Sequence, residues 1–155
     1  MNNFISRLRV AWLAPLVAII AACSGIPLKQ RQDEERDRYH QYAGAPIPQF
    51  TYLGRYDGWT PIDRYELVVW TTINDAYLIT VLPPCEDLLF TNHIGLTQTA
   101  HTVSQRFDFV KVHGMNCFIK SIQPIDYLKM KQDRRAQAEA AKAEAAKAAA
   151  QGQKP

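Results

Sequence analysis

Histidine is the side chain best suited to acid–base or metal chemistry near neutral pH. This chain has four, His40, His93, His101 and His113, each isolated in the sequence. A zinc site needs three or four ligands, and the short spacings HxH, HxxxH and HExxH are absent. The loosest grouping is Glu86 and Asp87 with His93 and His101; a small hydrolase or metal-dependent enzyme using the 86–101 loop would rely on the fold to gather them. Ser104, Asp108 and a histidine supply the residue types of a hydrolytic triad, but no GxSxG elbow frames the serine. The glycines are scattered, so no phosphate-binding loop is present. The expectation is therefore no catalytic residue, no metal and no cofactor. Aromatic side chains are the remaining chemical resource. Tyr56, Asp57 and Trp59, in a turn, and Trp70 nearby are candidate ligand-binding residues, able to stack on a sugar ring or grip a peptide. Packing a small core is the plainer use of the same rings.

The three cysteines carry more information. The opening residues MNNFISRLR contain Arg7 and Arg9 and no acid, and the apolar run from Val10 to Ile20 follows. At about 11 residues the run suits an export signal and falls short of the roughly 20 that span a bilayer. The next residues, Ile20-Ala21-Ala22-Cys23, resemble the bacterial lipobox, which implies cleavage before Cys23, acylation of its thiol and a membrane anchor there. Three acyl chains, at about 0.8 kcal/mol per buried CH₂, make such attachment effectively permanent. Ser24 is not the Asp that in many such proteins signals inner-membrane retention, which favours the inner leaflet of the outer membrane, facing the periplasm. An ordinary secretory signal with an incidental cysteine is the alternative. In an oxidising compartment the two remaining thiols, Cys85 and Cys117, should form a disulfide. Closing a loop of about 32 residues removes roughly 3.7 kcal/mol of unfolded-state entropy. A redox or metal pair is the alternative, without CxxC spacing or an adjacent histidine to support it.

These groups need a scaffold. Residues 1–22 read as the signal, and residues 23–43, centred on KQRQDEERDRYHQY, as a charged tether that is partly helical. Taking Arg7 and Arg9 from the 18 basic residues leaves 16 against 15 acidic ones, so the mature chain is near neutral. Its calculated pI of 8.8 is no argument for nucleic acid. Residues 44–130 form the folded part. Segments rich in Val, Ile, Thr and aromatic residues predict strands near Phe50–Tyr56, Glu66–Thr72, Ala76–Leu82, Val103–Val112 and Cys117–Ile122. Asp57-Gly58, Asn74-Asp75 and Gly114-Met115-Asn116 supply the turns. LVVW and YLITVL are apolar on both alternating faces, so each face of the sheet needs a cover. The fold class is mainly β (α+β): a small antiparallel rolled sheet or half-barrel of about five strands with a C-terminal helix. That helix should start at Pro124 and bury Ile125 and Leu128. Residues 131–155, rich in Ala, Lys and Glu, lack an apolar stripe and read as an exposed helical or disordered tail.

YLGRYDGW from Tyr52, LVVWT from Leu67, Pro84-Cys85, IGLT from Ile94, VSQRFD from Val103, Cys117 and IQPIDY from Ile122 together resemble an uncharacterised proteobacterial lipoprotein family, a domain-of-unknown-function group. The likeness spans about Tyr39 to Lys131 and implies a lipobox signal, a paired-cysteine domain and a periplasmic site, with no activity or catalytic residues to carry over. The expected function is a non-catalytic binding or interaction module of the cell envelope, anchored through Cys23, with an envelope protein or peptidoglycan as partner. Alternatives are an enzyme on the 86–101 loop and a carbohydrate or peptidoglycan-fragment binder at the Tyr56–Trp59 turn.

Overall fold

A computed structural model of the chain describes residues 27–152. The segment read as a signal, residues 1–22, and Cys23 lie outside the described residues. The sheet and its covers belong to one compact unit, Gln32–Pro155. In chain order the elements are α1 (Leu28–Gln41), β1 (Gln49–Thr51), β2 (Gly58–Asp63), β3 (Glu66–Trp70), β4 (Ala76–Val81), a 3-10 helix (Glu86–Phe90), β5 (Gly95–Leu96), β6 (Thr102–Ser104), β7 (Phe109–Val112), β8 (Met115–Ile125) and α2 (Tyr127–Gly152). Six strands form a curled antiparallel sheet in the order β2-β3-β4-β8-β7-β5, and β1 and β6 pair as a separate ribbon. The architecture is the expected mainly-β half-barrel with a C-terminal helix, built from more strands than the five anticipated.

The curl comes from β8, which serves two partners. Met115–Phe118 pair with β7, and Ile119–Ile125 pair with β4, with a register shift at Thr80/Val81. Such irregularities bend a strand and increase its twist. Because β3 and β4 are apolar on both faces, each face buries a core. Leu67, Val69, Ile79 and Ile122 pack on one side beneath Phe50 and Val103 of the ribbon and Leu88 of the 3-10 helix. Val68, Leu78 and Ile125 pack on the other with Tyr39 of α1 and Met130 of α2. The Cys85–Cys117 disulfide pins the start of the 3-10 helix to β8 within the first core, with the Cα atoms 5.7 Å apart and both residues buried.

The structure corrects several expectations. Asp57-Gly58 is no hairpin turn: Asp57 N donates to Trp70 O at 2.7 Å and Gly58 opens β2 opposite Trp70. The left-handed residue lies earlier, at Gly54 (φ 83°), and the first strand ends at Thr51 rather than Tyr56. Strand β2 was missed because it contains Pro61, which a central strand would exclude and which the sheet edge tolerates. The expected strand Val103–Val112 is two strands, broken at Gln105–Asp108, where the buried Asp108 carboxylate accepts from Ser104 N (2.8 Å) and Thr97 Oγ1 (2.9 Å). The final hairpin turns at His113-Gly114 (φ 47° and 84°), since Val112 already pairs with Met115. Pro124 and Ile125 remain in β8, and α2 starts at Tyr127, capped by Asp126, whose Oδ1 accepts from Lys129 N at 3.0 Å. Leu128 is exposed, and Tyr127 and Met130 make the contact instead.

The segment read as a tether is helical and enters the fold at its end. Tyr39 is buried, and the chain leaving α1 is laced to the chain leaving β8. Gly44 N donates to Pro124 O (2.8 Å), Asp126 N donates to Tyr42 O (3.0 Å), and Tyr42 Oη donates to Asp133 Oδ2 (2.8 Å).

Candidate functional site

The sheet separates the residues proposed for ligand binding. Trp59 lies opposite Val69 and packs with Tyr56 against the first core, whereas Trp70 points to the other face. There Trp70 meets Tyr39 and Tyr127 edge-on, at 6.3 and 5.6 Å between ring centroids, so it joins both helices to the sheet rather than facing a ligand. Its Nε1 is buried without a hydrogen-bond partner among the described residues. Burial pushes the Tyr39 phenol up to about 12. Tyr56 Oη is committed to Ile94 O at 2.8 Å. Asp57 is exposed and lines a cavity of about 450 Å³ with Arg55, Tyr56, Thr71 and Thr72, and Trp59 is not in its wall.

The 86–101 loop is also dispersed. Glu86 faces Arg64 at 3.8 Å, Asp87 faces His113 at 3.8 Å, and the His101 carbonyl accepts from Tyr52 N. Asp108 holds the Ser104 main chain, not its hydroxyl. Among the described residues no group of three or more His, Cys, Asp or Glu is placed to hold a metal ion, and no helix is long and apolar enough to cross a membrane.

A charged junction went unseen in the sequence. Glu66, at the head of β3, accepts from Arg36 Nε and meets His40 Nε2, both at 2.9 Å on Oε2, and Arg36 also lies 3.7 Å from Asp63. The Glu66 carboxylate holds the Arg36 guanidinium above its ordinary value. The i,i+4 spacing of Arg36 and His40 puts both on one helix face, which was the available signal; their common partner lies some 30 residues away and required the fold.

From this junction three clefts adjoin one another in succession. The first, of about 250 Å³, is walled by Arg36, Glu66, Thr80, Leu82 and Lys120. The second, of about 320 Å³, shares Leu82 and Lys120 with it and adds Phe118, Gln105 and Arg106. The third, of about 290 Å³, shares Gln105 and Arg106 and ends at Phe107 and Pro48. Gln105 Nε2 donates to Lys120 O at 2.5 Å, fixing the shared wall. Large apolar side chains stand open along these clefts: Phe107 is 76% exposed, Phe118 52% and Leu82 44%. Arg106 and Lys120 make no ion pair with any described residue.

Fold and surface define a class: a disulfide-stapled, curled antiparallel sheet closed on one face by helices from both ends of the chain, with an open apolar and basic groove. The chain belongs to a family of unknown function (DUF6491), whose model matches residues 6–141. The match starts ahead of the apolar run from Val10 to Ile20 and runs past Lys131, where the sequence resemblance stops. No curated protein and no solved structure matches the chain.

Proposed function

We propose that this chain is an envelope lipoprotein, acylated at Cys23 and held at the inner leaflet of the outer membrane, whose β-rich domain is a non-catalytic interaction module. The observation that carries the module is the succession of clefts from Glu66 to Phe107, with three exposed apolar side chains and two cations that have no ion-pair partner among the described residues. Exposed apolar surface contiguous over several elements marks interaction sites on soluble domains. The anchor is supported by the basic opening, the short apolar run and Ile20-Ala21-Ala22-Cys23.

Two measurements test the two halves. Mass spectrometry of the mature N-terminus should find Cys23 first and acylated; an unmodified residue elsewhere at the start refutes the anchor. A photo-crosslinking amino acid in place of Phe107 should trap a discrete envelope adduct that the same group in place of exposed Gln132 does not. Equal trapping at both positions, or none, refutes the module.

A further inference from the structure

We infer that the groove from Thr80 past Phe118 to Phe107 takes an extended segment of a partner protein that carries both carboxylates and large apolar side chains. This rests on the reading of the domain as an interaction module and names the chemistry of its partner. Adjacent clefts share walls, Leu82 and Lys120 between the first two and Gln105 and Arg106 between the second and third. A succession of small clefts with shared walls suits an extended segment, which drops a side chain into each, better than one compact molecule.

Charge sets the character of that chain. The second and third clefts contain no carboxylate, while Arg106 and Lys120 project there without an ion-pair partner among the described residues. The carboxylates at the groove's start, Asp63 and Glu66, are already engaged by Arg36. An acidic segment is therefore complementary from Leu82 onward, and a basic one is repelled there. The exposed Phe118 and Phe107 rings sit beside these cations and supply the apolar contacts. A lipid surface is flat, meets only the outermost side chains and would leave the clefts empty.

Fluorescence anisotropy on the full chain tests this with three labelled ten-residue peptides: Glu alternating with Leu and Phe, the same peptide with Lys for every Glu, and the same with Ser for every Leu and Phe. The first should bind at least tenfold more tightly than the other two. Phe118→Ser should weaken it at least tenfold, and Arg106→Glu with Lys120→Glu should reverse the preference toward the Lys peptide. All three side chains are exposed, and an unchanged thermal midpoint checks that the variants fold. Equal binding of the three peptides, or acidic–apolar binding indifferent to these substitutions, overturns the inference. So does self-association abolished by Phe118→Ser, which would assign the face to a second copy, or a dye at Phe107→Cys that blue-shifts on phosphatidylglycerol vesicles, which would assign it to lipid. Failure of the peptides with the Phe107 crosslink retained overturns the acidic–apolar class alone; loss of both also removes the module.

Discussion

Removing Arg36 should destabilise the domain more than removing the charge of Glu66, although the two share one hydrogen bond. The Glu66 side chain is only 11% exposed, while Arg36 is 43% and His40 38% exposed. In Glu66→Gln the half-exposed Arg36 and His40 side chains gain water at little cost, and the amide oxygen can still accept from Arg36. Two charge-assisted bonds become neutral-acceptor bonds, and after discounting for solvent screening the loss is about 1 kcal/mol. In Arg36→Ala the carboxylate stays in its enclosed position with His40 as sole partner. Breaking a fully buried pair costs 3–5 kcal/mol, and the remaining partner and partial exposure reduce this to about 2 kcal/mol. At roughly 4 °C per kcal/mol for a domain of this size, the midpoints should fall by about 4 and 8 °C respectively. Thermal melts of the full chain at pH 7.5, followed by circular dichroism, give both numbers, and the double variant should lose less than the sum of the singles. A Glu66→Gln loss equal to or larger than that of Arg36→Ala, or strict additivity, refutes the claim that burial of the carboxylate dominates this junction.

Cys85→Ser or Cys117→Ser should cost about 2–5 kcal/mol, the usual loss for a native disulfide in a small secreted domain, and thiol labelling of denatured, unreduced protein should find neither cysteine free. Gly114→Val should destabilise by more than 1 kcal/mol, because φ of 84° strains any β-branched residue, whereas Gly58→Ala should change the melt by under about 0.5 kcal/mol, since a Cβ there meets the Trp70 ring at an ordinary 3.8 Å. Tyr39 is neutral in the fold and its phenol is raised from 10.0 to about 12, so its contribution is intact below pH 10 and is lost as pH climbs toward 12; alkaline melts of Tyr39→Phe should show a shallower decline than the parent.

The class of fold was legible because it follows from local pattern. LVVW and YLITVL declare strands buried on two faces, and those faces dictate that something must cover them. The disulfide was legible from cysteine number once an oxidising compartment was expected. What failed were decisions that tertiary context makes. Pro61 reads as a strand breaker until β2 is known to be an edge, and Asp57-Gly58 reads as a turn until Trp70 O is seen to take the Asp57 N–H. Trp70 looked like a ligand platform because sequence shows an aromatic residue but not which face of the sheet it occupies. The groove was invisible for the same reason: Leu82, Arg106 and Phe118 come from three distant places and meet only where the end of β4 and the middle of β8 approach the β6–β7 connection.

The lacing of residues 42–44 to residues 124–126 has a mechanical consequence. Tension applied between the two ends of the chain enters at α1 and leaves at α2, and the bonds Gly44–Pro124, Asp126–Tyr42 and Tyr42–Asp133 bridge those points directly. The pairing is antiparallel and both loads enter at its Tyr42/Asp126 end, so tension peels these bonds one after another, and the sheet strands between them are bypassed until that zip has opened.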